Sequence, residues 1–211
     1  LSERRAVRNP ADPADLVGLR RIVTHGERLR RTILDLLDAA RAEQQQLIGR
    51  REPVDLVACL NDIVRRHSSD HHTFTIDAPE HLIGQYDPVR IAQMLDNIIE
   101  NAVKYSPEGG EIAVQIWQEA TQINITVADH GIGIPRQDLP LLFKRFHRGA
   151  NVDDRRFPGW GLGPSICRQI AEQHGGAISV TSQEGQGSTF NVILPVTDKE
   201  QEAYVASHPD Y

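Results

Sequence analysis

The sequence is poor in aromatic residues, in sulfur and in positive charge, and each shortage excludes something. Aromatics make up only 5% of the 211 residues, yet the 39% hydrophobic and 25% charged fractions stay near globular norms, so disorder is excluded. Only two cysteines occur, Cys59 and Cys167. Each lies in an apolar pattern of helical spacing with no partner at metal-ligand spacing, which argues against a disulfide framework and leaves two buried core thiols as the expectation. Lys and Arg number 23 against 29 Asp and Glu, a formal net charge of -6, so no basic field points to nucleic acid. No apolar run approaches the roughly 18 residues that span a bilayer, and the N-terminus has no signal-peptide pattern. A cytoplasmic location without membrane contact is expected for this chain. It begins at Leu1 rather than Met, so a fragment of a longer protein is expected, whose upstream part could hold a membrane span or sensor.

At this length the chain can build one full domain and a smaller appendage. Asp12-Pro13-Ala14-Asp15 reads as a helix start, with Asp12 as cap and Pro13 at the first helical position. From there Leu16, Leu19, Val23, Leu29, Ile33, Leu36, Leu37 and Ala40 return to one face through about Gln46. So narrow a seam cannot enclose a core alone, and a partner helix in a bundle or dimer is expected. The pattern breaks at Gly49 to Pro53, which sets the domain boundary. Beyond it the spacing predicts helices over 55–66, 87–105 and 163–174. Strands are predicted over 73–77, 111–117, 122–128, 177–182 and 188–194. Such an order suits a mixed sheet with helices on one face. A polar tail closes the chain.

Three elements carry chemistry. On the second of these helices Asn97, Asn101 and Lys104 stand at i, i+4 and i+7 and share a face. Carboxamide oxygens suit a Mg²⁺ that keeps waters and phosphate oxygens, and a lysine offsets phosphate charge. Taken alone, this face could equally be a solvated one. Next, Asp129-His130-Gly131-Ile132-Gly133-Ile134-Pro135 follows a strand, where an aspartate can accept from a base amine while glycines let the backbone approach. In isolation it could be a plain turn. Last, Gly159-Trp160-Gly161-Leu162-Gly163 opens a helix at Pro164, an anion site by its free amides and dipole. No Gly-Lys-Ser/Thr follows, so it is not a Walker loop.

In this order the three elements resemble the asparagine box and the two glycine boxes of the ATP-binding family shared by histidine kinases, gyrase, the large heat-shock chaperone and mismatch-repair ATPases. Leu142 to Arg148 resembles the phenylalanine box of the kinases, and Gly185 to Phe190 the terminal glycine box. Glu27-Arg28-Leu29 and Asp35 to Arg41 resemble the second helix of the kinases' dimerisation hairpin. The resemblance implies a two-layer α/β sandwich of the Bergerat type with a mixed sheet, preceded by a long helix. Residues 1–48 would be a partial dimerisation hairpin, 49–197 the ATP-binding catalytic domain and 198–211 a polar tail.

It implies ATP and Mg²⁺ as ligands, a response-regulator receiver domain as partner, and a homodimer through the hairpin. Carried over by position, Asn101 would coordinate Mg²⁺ and Asn97 assist, while Lys104 and Tyr105 would meet phosphate or ribose. Asp129 would take the adenine amine, backed by Gly131 and Gly133, with Thr189 near the same pocket. Arg148 would reach the γ-phosphate. Gly159, Gly161, Leu162 and Gly163 would form the lid hinge and phosphate cradle, with the loop from Gly149 to Pro158 as the lid. Hydrolytic members carry a glutamate where this chain has Asn97, whose amide is no general base near neutral pH, so transfer is favoured over hydrolysis. Trp160 and Pro164 depart from the family pattern, and the tryptophan could crowd phosphates. His25 lacks the usual acidic neighbour of a phosphoacceptor, so the acceptor histidine is expected upstream of Leu1. A nucleotide-binding pseudokinase and a conformational ATPase are the alternatives.

Overall fold

The computed structural model describes residues 47–153, 155–157 and 159–196, together with 26, 33, 34, 37 and 38. Most of the predicted long helix, with its Asp12 cap and His25, lies outside the described residues, as do Pro158 and the polar tail. The five described residues of that segment are helical, and Ile33, Leu34 and Leu37 are about half exposed. No helix among the described residues is long and apolar enough to cross a membrane.

The domain begins with β1 (Glu52–Asp55) and α1 (Leu56–His67), followed by β2 (His72–Asp77), β3 (Ile83–Tyr86) and α2 (Pro88–Lys104). A hairpin of β4 (Gly110–Glu119) and β5 (Gln122–Ala128) comes next, then α3 (Gly163–Gln173), β6 (Ala177–Gln183) and β7 (Gly187–Pro195). Five strands form a mixed sheet in the order β2-β4-β5-β7-β6, parallel only between β2 and β4. Period-two alternation puts Ile112, Val114 and Ile116 of β4, Ile123, Ile125 and Val127 of β5, and Phe190, Val192 and Leu194 of β7 in the core. The three helices cover that face, α2 in the middle between α1 and α3, as the layering anticipated. The two-stranded β1–β3 sheet was not anticipated. Each of its strands has four residues, too few for an alternation to declare itself.

Helix α2 is built with two faces. Ile91, Met94, Leu95, Ile98, Ile99 and Ala102 are buried, and the intervening turns carry Asn97, Asn101 and Lys104. Its start is fixed by the buried Asp87, whose Oδ1 accepts from the amides of Val89 and Arg90 while Oδ2 accepts from Gly49 N–H at 2.6 Å. The backbone N–H of Asp87 in turn donates to Nε2 of His174 at 3.0 Å. The linker is held at the same place, because Leu47 and Ile48 donate to Oε1 of Gln173 and Arg51 donates to its carbonyl. One contact reaches back to the N-terminal helical segment: Arg90 Nη1 and Gln93 Nε2 both donate to Oδ2 of the buried Asp38, at 2.7 and 2.8 Å.

His174 is 1% exposed, and its Nδ1–H donates to the carbonyl of Ile170, which leaves Nε2 as the acceptor for Asp87. A proton on Nε2 would abolish that bond, and burial pushes the ring's pKa below its ordinary 6.5. The unfolded chain therefore takes up a proton at pH values where the folded chain does not. The stability tied to this ring is fully present above about pH 6.5 and is lost as pH falls toward the folded value, by up to about 1.4 kcal/mol per pH unit. Urea unfolding across that range should show the decline in the wild type and a flatter profile in His174→Gln.

Candidate nucleotide-binding site

Between the C-terminal half of α2, the loop after β5 and the N-terminus of α3 lies one cleft. Asn101, Tyr105, Asp129, Gly133, Arg148 and Gly161 all line it. These residues come from every box singled out in the sequence before the last one, and that last box contributes Ser188.

Asp129 stands where β5 ends, almost buried beneath the cleft. Its Oδ1 accepts from the amides of Gly131 at 2.8 Å and Ser188 at 3.2 Å, which hold the carboxylate in one orientation and leave Oδ2 for a donor in the cleft. Burial raises its pKa, and the two amides work against that shift. The glycines around it answer to close approach. A Cβ on Gly131 would collide with the carbonyl of Tyr105, and Gly133, at φ +62°, would drive one into the carbonyl of Gln183.

The wall formed by α2 continues into Tyr105, whose carbonyl accepts from Ile132 N–H at 2.9 Å and so ties the helix end to the glycine loop. The Tyr105 ring packs against Phe157 at 5.2 Å between centroids, and Lys104 Nζ lies 5.0 Å from its centre. Burial raises the pKa of its hydroxyl, and the nearby Arg148 guanidinium, hydrogen-bonded to it, opposes the rise. Arg148 also donates through Nη1 to the Gly159 carbonyl at 3.0 Å and through Nη2 to that of Phe157. The arginine thus bridges the phenylalanine box and the loop before the second glycine box.

That second box turns sharply at Gly161, φ +67°, where a Cβ would strike the His147 carbonyl. Helix α3 then starts without a side-chain cap, so its first-turn amides stay open apart from the one Pro164 lacks. Gly163 faces the asparagines: a Cβ there would sit 3.6 Å from Asn97 Oδ1 and 3.9 Å from Asn101 Nδ2. The positive end of α3 thus lies against the polar face of α2.

The sequence-based assignments fall into three groups. Six residues line the cleft directly, as given above. Asn97, Lys104, Gly131, Gly159 and Gly163 are not part of its lining, though Gly131 and Gly163 sit against Tyr105 and Asn101, which are, and Lys104 Nζ is 3.2 Å from a Cβ placed on Gly159. Leu162 and Thr189 lie elsewhere. Leu162 is buried in the core, and its carbonyl starts α3 by accepting from Ile166 N–H and the Ser165 hydroxyl. Thr189 requires correction: strand parity puts Ser188 and Phe190 on the inner face of β7, so Thr189 points to the outer face beside Ala128 and Thr181. Counting back in twos from the buried Phe190 would have found Ser188. Ile132, Leu142 and Asn151, which belong to the first glycine box, the phenylalanine box and the lid loop but were not singled out as site residues, also line the cleft. Trp160 is 64% exposed and lies outside the cleft lining, so in this arrangement it does not crowd the site.

Residues 86–198 match the family model of histidine kinase-, DNA gyrase B- and HSP90-like ATPases, more than half of the chain. The chain belongs to this ATPase family. Its relatives narrow the branch. The sensor histidine kinase WalK of Bacillus subtilis is 35% identical over 182 residues, 83% of this chain and 30% of that protein. The adaptive-response sensory kinase SasA of Synechococcus elongatus is 37% identical over 174 residues, 80% of this chain and 44% of that protein. Among solved structures, the mycobacterial sensor histidine kinase MprB superposes with a TM-score of 0.62 at 29% identity, covering 68% of this chain and 97% of that one. The chain thus spans less than half the length of these two curated relatives, and in histidine kinases the matched ATPase-family domain is the ATP-binding catalytic core.

Two consequences of the cleft geometry can be tested. Because the folded pKa of Asp129 is raised, the stability tied to this group is greatest below the ordinary carboxylate value and declines as pH rises through the folded one. At neutral pH Asp129→Asn should therefore melt no lower than wild type while losing the upward shift in melting temperature that ATP produces. Gly161→Ala forces a side chain into the left-handed region and against the His147 carbonyl. It should lower stability by about 1–3 kcal/mol, read by denaturant unfolding.

Proposed function

We propose that this chain binds ATP with Mg²⁺ and presents the γ-phosphoryl group to a histidine outside it, as the catalytic core of a sensor histidine kinase. The observation that carries this reading is the convergence of Asn101, Asp129 and Gly161 on one cleft. Acidic base reader, carboxamide and glycine turn are the three parts such a nucleotide needs, and they come from separate stretches of sequence.

The residues present fit both ligands. Gly133 and Gly161 let the chain turn tightly against the carbonyls of Gln183 and His147 at the cleft, and the open end of α3 favours phosphate charge. Among the described residues no group of three His, Cys, Asp or Glu could cage a metal. Two carboxamides, Asn97 and Asn101, instead suit a hard cation that retains phosphate oxygens and water. When bound, ATP supplies the transferable phosphoryl group and Mg²⁺ neutralises phosphate charge. The chain's own residues bind and orient: Asp129 accepts from the base, Asn101 with Asn97 offers the metal ligands, and Lys104 brings positive charge. Arg148 holds the loop from the phenylalanine box in place. With Asn97 where hydrolytic relatives have a glutamate, that position offers no general base to activate water, and this favours transfer to an acceptor.

The same reading takes a histidine of a longer protein as the acceptor, a dimer through the helical hairpin, and a receiver-domain aspartate as the next site of the phosphoryl group. The half-exposed Ile33, Leu34 and Leu37 offer the apolar face such a dimer would cover. Fluorescent ATP-analogue titration should give Mg²⁺-dependent, micromolar binding, weakened about tenfold or more in Asn101→Ala, a loss of roughly 1.4 kcal/mol. No binding would overturn the reading. Supplied with the upstream helix, the protein should form acid-labile phosphohistidine from γ-labelled ATP. Steady hydrolysis that disappears in Asn97→Ala would instead indicate a conformational ATPase.

A further inference from the structure

Asp138 has no part in the site described above, yet it is buried, and a buried carboxylate needs partners. It stands where the short 3₁₀ turn Leu139–Leu141 begins, a place from which an aspartate ordinarily caps the amides that follow it. Here the side chain makes no such bond. It crosses instead to the chain on either side of Arg148. Oδ2 accepts from Ala150 N–H at 2.8 Å, and Oδ1 faces His147 Nε2 at 3.5 Å. That ring nitrogen is buried and makes no hydrogen bond among the described residues, so what it has from Asp138 is proximity to a negative charge.

The residue enclosed by this clamp carries the positive charge of the cleft. Among the described residues that line it, Arg148 is the one Lys or Arg. Its guanidinium donates to the carbonyls of Phe157 and Gly159 and is hydrogen-bonded to Tyr105. Gly159 shortly precedes the Gly161 turn, so the charge stands at the end of the cleft next to the open start of α3, where phosphate is favoured. A neutral carbonyl is a weaker partner for a guanidinium than a phosphate oxygen, and a fork anchored at its backbone can exchange one for the other without first being ordered. The backbone so held also packs against the second glycine box, since a Cβ on Gly161 would come 2.3 Å from the His147 carbonyl oxygen.

We propose that Asp138 is a positioning residue for the phosphates: by holding the chain on both sides of Arg148, it sets the guanidinium where the triphosphate meets the cleft. This rests on the nucleotide reading above. Asp138 is not part of the cleft lining, so its effect on the nucleotide passes through the residues it holds.

The test is a double-mutant cycle on Mg²⁺-ATP affinity, with wild type, Asp138→Ala, Arg148→Ala and the double variant. The folded fraction of a preparation scales the amplitude of a titration and not its dissociation constant, so a destabilised variant stays informative. Arg148→Ala should weaken binding by about tenfold or more, the loss of one charge-assisted contact. Asp138→Ala should weaken it by about three- to tenfold in the wild-type background and by less than about twofold once Arg148 is gone. Asp138→Asn keeps an oxygen that can accept from Ala150 N–H, and should recover most of that loss. Equal weakening in both backgrounds would mean that Asp138 only supports the loop, and would overturn the proposal while leaving the nucleotide reading intact. The same holds if Asp138→Ala or Arg148→Ala binds as tightly as wild type. Failure of the wild type to bind Mg²⁺-ATP would overturn both.

Discussion

The rest of the structure depends on where α2 sits, because this one helix supplies the middle of the core with one face and a wall of the cleft with the other. It is pinned at both ends. Asp87 ties its start to the linker at Gly49 and to His174 at the end of α3, and the Tyr105 carbonyl ties its finish to the glycine loop through Ile132. Between these anchors six buried apolar side chains set its rotation, and truncating one such as Ile99 would cost about 2–5 kcal/mol. The positions of Asn97, Asn101 and Lys104 follow from that packing. The functional face is precise because the opposite face has a single way to fit.

Around the cleft, polar groups are held by backbone rather than by one another. Two amides orient Asp129, two carbonyls orient the amide of Asn151, and the carbonyls of Phe157 and Gly159 accept from Arg148. Backbone partners cannot rotate away as side chains do, so the cleft keeps its donor and acceptor pattern without a ligand to organise it. The contact of Tyr105 with Phe157 closes the same ring of contacts from the lid side.

Much of this was legible in the sequence, and what escaped has a physical cause. Helices α1, α2 and α3 announce themselves through a 3.6-residue apolar period, and Asp55 and Asp87 cap the first two. The five strands of the main sheet alternate clearly. By contrast β1 and β3 are made by pairing with each other and carry too few residues to show a period. The glycines and Asp129 stood out because their residue types are demanded by close approach or charge. Ser188 and Asn151 did not, since a hydroxyl or a carboxamide is ordinary on any surface and only tertiary neighbours make it part of a cleft. Thr189 was misplaced by a single residue, and in a strand one residue is the difference between the two faces of the sheet.

The ion pair from Arg90 to Asp38, shared with Gln93, gives the N-terminal helical segment a direct handle on α2. Buried charge pairs of this kind add little net stability, but they resist partial displacement, since separating the partners strands a charge away from water. Displacing Asp38 from Arg90 and Gln93 would leave a buried carboxylate without partners at the start of α2, so this contact holds the described part of the segment to the domain.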